Sequence, residues 1–274
     1  MSCFEGLLLY AQVRKDDRRK QAVVRFADRL LESESVVVGG SGCHHELFNH
    51  SSLMKTATKY DGLMLETCVT VTWMKLLSRV YQMTGDMRYL EEVERSAFNA
   101  LYGAVNTENS TCGPETTFDE PDYRDVYDRA VKENGGRGQL FDSYSPLRAG
   151  IRGRAVGGFK SMEQGKAFCG CCIAIGAAGT ALMPALAARE IRREEAGTDE
   201  TAQGRNVRGI EIGIYLPGVI QTTVKETPVE LSVETAYPAD GRVSISVKTD
   251  QEAEFAIRLR IPSFAEKVKV FVNE

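Results

Sequence analysis

The chain has 274 residues, 43% hydrophobic and 26% charged, with a net charge of −4; this suits one large globular domain or two smaller ones and excludes the basic face that nucleic acid selects. No apolar run reaches membrane-spanning length, and the opening residues lack the basic flank and small-residue cleavage site of a secretory signal, so the sequence reads as a soluble, cytoplasmic protein with no membrane partner. Seven cysteines, odd in number and clustered, suit a reducing compartment and metal or nucleophile use better than a disulfide framework.

Residues Ser2 to Val13 are apolar enough for a buried helix and begin without a cap or approach segment, as if the chain were cut into an existing fold. From Asp16 to Glu32 the residues Val23, Val24, Phe26, Ala27, Leu30 and Leu31 recur at helical spacing between charged ones, which predicts an amphipathic surface helix capped by Asp16 or Asp17. A short extended piece and glycine-rich turn, 36–42, lead into a polar, titratable loop, 43–50. Two clear helices follow, roughly Glu66 to Met83 and Met87 to Val105. Between them Gly85 is free to take positive φ, and Asp86 stands as an N-cap. Residues 106–137 read as a long surface excursion, Phe141 to Leu147 as an extended piece with buried aromatics, and Ile173 to Arg193 as a helix with small residues on one side. The polar run from Glu195 to Asn206 marks a domain boundary, giving domains 1–205 and 206–274. Beyond it 209–217, 229–235, 243–247 and 255–261 alternate as strands, with Asp240-Gly241 signalling a hairpin.

Three thiols in four positions, Cys169, Cys171 and Cys172, open the apolar run that starts near residue 173. Vicinal cysteines do not readily bridge one another, and thiolates this dense repel unless a soft cation gathers them, so Zn2+ is the simplest occupant. Glu66 and Cys68, two residues apart at a helix start, are the best further donors, giving the set Glu66, Cys68, Cys171 and Cys172. The competing readings are buried apolar thiols and a closed, purely structural zinc site. Among the loop residues, His44 and His50 read as solvated side chains and His45 as a pocket residue. Trp73, Tyr89 and Phe98 fall at core spacing, whereas Tyr144 falls outside it and is the better ligand-contact candidate.

Taken together, Gly39 to Gly42 with His45-Glu46, Glu66-Thr67-Cys68 entering a helix, Thr84-Gly85-Asp86, Glu94-Arg95 with Asn99 to Leu101, Tyr144 to Leu147, Cys171-Cys172, Tyr215 to Pro217 and Arg260 to Ser263 resemble glycoside hydrolase family 127, the β-L-arabinofuranosidase-like proteins. The pattern Glu-Thr-Cys-Val-Thr with Tyr-Ser-Pro-Leu looks closer to the branch that includes aceric acid hydrolases. The resemblance implies a mainly α fold with β: a partial (α/α)6 toroid truncated on its N-terminal side, then an incomplete antiparallel β-sandwich. It also implies zinc at Glu66, Cys68, Cys171 and Cys172, with Cys171 as nucleophile and Glu46 as general acid/base, set roughly 5 to 6 Å apart by analogy with paired carboxylates. The expected activity is retaining release of a terminal furanosidic sugar from a plant-polysaccharide-derived oligosaccharide or glycoside. A homo-oligomer or a companion chain would cover the missing half-toroid. The alternative is a non-catalytic zinc-stabilised remnant that acts as a carbohydrate-binding or interaction domain.

Overall fold

The computed structural model describes residues 1–42, 48, 65–105, 132, 144–145, 171–191, 209–224 and 226–273. Contacts group the chain into two compact units, Met1–Leu182 and Met183–Glu274. The compositional boundary expected at 205/206 lies outside the described residues.

In the first unit, α1 (Ser2–Val13) buries Leu8 and Ala11 but leaves Leu9, Tyr10 and Val13 exposed, so only one side of the expected buried helix is covered. It packs on α2 (Asp17–Ser33), where Phe4 stacks on Phe26 with ring centroids 3.6 Å apart. The Asp16 carboxylate accepts the Arg19 amide at 3.0 Å, the expected N-cap, and the apolar stripe Val23, Ala27 and Leu30 faces inward. Next come the two-residue strand β1 (Leu65–Glu66), α3 (Thr67–Thr84) and α4 (Met87–Arg95). Gly85 closes α3 at φ 71°, and the Asp86 carboxylate caps α4 by accepting the Arg88 amide at 3.0 Å.

Helix α3 is the spine of this unit. Val71, Trp73, Met74, Leu76, Leu77 and Val80 are all fully buried, as in a helix with neighbours on several sides. Beyond Arg95 the expected α-helix to Val105 gives way to a π-helical turn, Ser96–Leu101. At that junction the Gly39 backbone, at φ +82°, lies so close that a Cβ there would stand 2.6 Å from the Ser96 nitrogen, and the Gly40 amide donates to Ser96 Oγ at 2.8 Å. Only glycine meets both conditions at position 39.

A buried carboxylate holds these pieces together. Glu92 Oε1 accepts from Ser35 Oγ at 2.5 Å and from Trp73 Nε1 at 3.4 Å, while Oε2 accepts from Arg95 Nε at 2.8 Å. The end of α2, the middle of α3 and the end of α4 are thereby tied to one side chain.

Strand β2 (Tyr144–Ser145) pairs antiparallel with β1, setting Glu66 opposite Tyr144. Helix α5 (Cys171–Ala187) follows, and the division between the two units falls within it. The helix expected to reach Arg193 stops at Ala187, where the chain enters β3 (Ala188–Ile191). Residues 188–191 form helices readily in isolation, but pairing with β4 (Gly209–Ile212) satisfies their backbone in a sheet and overrides that preference.

The second unit holds two three-stranded sheets, β3-β4-β8 and β5-β6-β7. Strands β5 (Gly218–Val224), β6 (Thr227–Thr235) and β7 (Val243–Thr249) form an antiparallel meander, with Asp240-Gly241 in the turn between β6 and β7 as expected. Strand β8 (Ala256–Leu259) runs parallel to β4, the one pairing in this unit that departs from the antiparallel expectation. Ile210, Ile212, Tyr215, Val224, Val229 and Leu231 form its core. Glu211, fully buried on β4, sits in register between Arg189 and Arg258, accepting from Arg189 Nε at 2.7 Å and from Arg258 Nη1 at 3.0 Å. Among the described residues no helix is long and apolar enough to cross a membrane.

Burial lifts the Glu92 carboxyl above its ordinary value of 4.5, against the opposing pull of Arg95, Ser35 and Trp73. The folded protein therefore holds this proton more tightly than the unfolded chain does. The stability that Glu92 contributes is complete below pH 4.5 and is lost as pH rises through the raised value. Melting temperatures of wild type and Glu92→Gln, followed from pH 4 to 8, should differ in slope over that window, with the wild type falling relative to the variant. In the second unit, Glu211→Ala strands two guanidinium groups, of which that of Arg258 is 43% exposed and that of Arg189 only 18%. The expected loss is about 3 kcal/mol by urea denaturation of the full chain, against less than about 1 kcal/mol for Arg258→Ala.

Candidate metal centre

The first unit brings a carboxylate and two thiols together at the start of two helices. Glu66 ends β1 and is the N-cap residue of α3, with extended backbone at φ −81° and ψ 132°, and its carboxylate makes no capping bond to its own helix. Cys68 lies in the first turn of α3, and Cys172 is the second residue of α5. Cys68 Sγ and Cys172 Sγ stand 3.5 Å apart, far beyond the ~2.05 Å of a disulfide. The Cys172 thiol points at Glu66 Oε1 from 3.7 Å. One donor atom from each of the three residues lies within 4.8 Å of the others.

These separations can be tested against a bound ion. Metal–sulfur bonds of about 2.3 Å and a metal–oxygen bond of about 2.0 Å, at tetrahedral angles, set edges of roughly 3.8 Å between sulfurs and 3.5 Å between sulfur and oxygen. The observed 3.5 and 3.7 Å lie within about 0.3 Å of those edges. The donors are also shielded: Glu66 is 1% and Cys172 0% exposed, with Cys68 half-buried. Both helices turn their partial positive ends toward this point, which favours anionic ligands there.

Packing further along α5 explains how the thiols meet. Cys172, Gly176, Gly179, Met183 and Leu186 are buried and recur at steps of four and three, so they share one face of the helix. At Gly179 that face meets α3 and the π-helical turn so closely that a Cβ would lie 2.6 Å from Val71 Cγ2 and 2.9 Å from Leu101 Cδ2. The small-residue side foreseen in the sequence is thus the side that lets α5 approach α3, although no particular residue on it stood out. Glu92 and its partners went unforeseen; the Glu-x-x-Arg spacing of Glu92 and Arg95 is a local signal for an ion pair but carries none for its burial.

Of the residues expected at the site, Glu66, Cys68 and Cys172 are thus brought together. Cys171 contributes the first residue of α5 and Tyr144 the backbone partner of Glu66, but their side chains lie outside those described. His45 and Glu46 lie outside the described residues altogether, three and four positions past Gly42.

Comparison with known proteins points to one family. The family profile for the β-L-arabinofuranosidase GH127 catalytic domain matches residues 2–124, and that for the GH127 middle domain matches residues 209–274. No curated protein matches the chain. Among solved structures, a GH127 β-L-arabinofuranosidase from Geobacillus stearothermophilus T6 superposes with a TM-score of 0.58 at 19% identity, over 96% of this chain and 35% of its own. A second GH127 β-arabinofuranosidase gives 0.59 at 18% identity, over 96% and 33%, and a structure described as a glycoside hydrolase gives 0.58 at 15%, over 96% and 39%. The chain therefore has the fold of part of these toroid enzymes and spans about a third of their length. With the catalytic-domain and middle-domain profiles matching in chain order, the first across Glu66 and Cys68, the protein belongs to glycoside hydrolase family 127.

Proposed function

We propose that this protein is a retaining glycoside hydrolase that releases a terminal furanosidic sugar resembling β-L-arabinofuranose from a plant-derived oligosaccharide or glycoside. The observation that carries the proposal is the convergence of Glu66, Cys68 and Cys172 at metal-ligand distances, with Cys171 next in sequence. Two thiols, a carboxylate and Cys171 as the fourth donor form a set suited to zinc, and a reducing, cytoplasmic setting would keep the thiols available. When bound there, zinc would keep its cysteine ligands deprotonated at neutral pH.

The chain's own residues then divide the reaction. The Cys171 sulfur attacks the anomeric carbon as the glycosidic C–O bond breaks, and the Glu46 carboxyl gives its proton to the leaving oxygen. In the second half, the Glu46 carboxylate takes a proton from water, whose oxygen displaces the sulfur at the same carbon. Two inversions at one carbon give net retention and restore both groups. The helical period supports the choice of Cys171 over Cys172. Position 171 shares its face of α5 with Ala174, Ile175 and Ala178, all exposed or half-exposed, whereas Cys172 is buried. His45 and Tyr144 would line the sugar pocket, the latter through its place opposite Glu66.

A second reading, a closed structural zinc site in a carbohydrate-binding or interaction domain, draws on the deep burial of Glu66 and Cys172. Two measurements separate the readings. Elemental analysis should find about one zinc per chain in wild type and much less in Cys68→Ser and Cys172→Ser. Turnover of an aryl β-L-arabinofuranoside should fall by about 10⁴-fold or more in Cys171→Ala. Zinc without turnover would favour the structural reading, and no zinc in folded, reduced protein would sink both.

A further inference from the structure

The metal centre places its donors on two helices that meet again far from it, and the second meeting point sets the first. Gly179 stands seven residues beyond Cys172 on the same buried face of α5, about two turns along the helix. A methyl group at Gly179 would fall 2.6 Å from Val71 Cγ2, 3.2 Å from Val71 Cγ1 and 2.9 Å from Leu101 Cδ2, whereas unstrained carbon contacts begin near about 3.5 Å. Both neighbours are enclosed. Val71 and Leu101 are both fully buried, and a β-branched side chain within a helix is confined almost entirely to one rotamer. Val71 in turn lies one helical turn beyond Cys68 on α3. Relief of the overlap by helix movement would shift α5 from α3 by about 1 Å, the gap between the contact found and the contact permitted. Metal–ligand distances tolerate only about 0.2 Å.

We infer that Gly179 is a positioning residue for the metal centre: its missing side chain fixes the separation of α3 and α5, and so the 3.5 Å between the Cys68 and Cys172 sulfurs. The inference rests on the metal-binding reading above and assigns the geometry of that site to a residue that touches no ligand atom. It also accounts for position 71, where a side chain larger than Ala fills the space that Gly179 leaves open.

The test uses the full chain, freed of metal and titrated with Co2+ alone, whose thiolate charge-transfer absorption reports sulfur coordination directly. Four proteins are compared: wild type, Gly179→Ala, Val71→Ala/Gly179→Ala, and Ala178→Leu, which adds bulk on the exposed side of the same turn. Circular dichroism and melting temperature record folding in each. Gly179→Ala should weaken Co2+ binding by about tenfold or more and alter the absorption, the double variant should recover most of both, and Ala178→Leu should match wild type. Gly179→Ala with wild-type affinity and spectrum overturns the inference. If Gly179→Ala loses helical content, the double variant decides: folding with the cobalt band restored supports the inference, and folding without it overturns it. A wild-type chain with no thiolate–cobalt band overturns the metal reading itself, an outcome distinct from any in which wild type binds and the variants do not differ.

Discussion

The close approach of α3 and α5 is the constraint on which the candidate metal centre depends. It brings two sulfurs to 3.5 Å and a buried carboxylate to 3.7 Å of one of them, in a place water scarcely reaches. Two like charges at that separation repel by about 5 kcal/mol at an effective dielectric constant near 20, and a third adds to the burden. Such a cluster persists only if protons or a cation neutralise it. Protons leave two thiols and a carboxylic acid in hydrogen-bonding reach of one another, and a soft cation would suit the same donor set.

The same constraint explains why so much of the unit is built around α3. A helix that must hold Cys68 in place at one end cannot be free to roll, and α3 is buried nearly all round along its middle turns. Trp73 carries the restraint outward through its indole N–H to Glu92, which also fixes Ser35 and Arg95. Through Ser35 and the Gly40–Ser96 bond the restraint reaches the turn that leads on to residue 43. One buried carboxylate thus joins the helix carrying a metal ligand to the segment that precedes Glu46. A buried, partly charged network is a poor source of net stability, but it has only one good arrangement, and one arrangement is what a site with narrow distance limits requires.

What was legible in the sequence follows from how local each signal is. The Asp16 and Asp86 caps, the Thr84-Gly85-Asp86 turn and the alternation in β6 and β7 are decided within a few residues, and the structure forms them as expected. Strand β3 was hidden because 188–191 favour helix and become strand only through a partner some twenty residues on. Strand β5 was hidden because its burial alternates only weakly, with one fully buried residue at its end. The π-helical turn carries no periodic signature at all. Glu92 and Glu211 were invisible for a related reason: an acidic residue on a helix or strand reads as solvent-facing until the structure shows the serine, tryptophan and arginines converging on it. The grouping of Glu66, Cys68 and Cys172 escaped this limit because clustered thiols are rare enough to be informative before any contact is known.

The position of Gly179 shows why a site of this kind extends beyond its ligands. A ligand residue supplies an atom, whereas the helix carrying it supplies the position of that atom, and a helix is stiff over two turns. Displacement at one contact is therefore carried along the axis with little loss, so a packing residue two turns from Cys172 would set the position of its sulfur as firmly as a neighbouring side chain would. Val71 and Leu101 complete the device because a gap filled by branched, buried side chains resists both widening and collapse. It follows that α5 has two separate demands on its sequence: small residues on the face toward α3, and a thiol at the head of that same face. Ala177 and Ala178, on the exposed side, answer to neither and need only favour the helix.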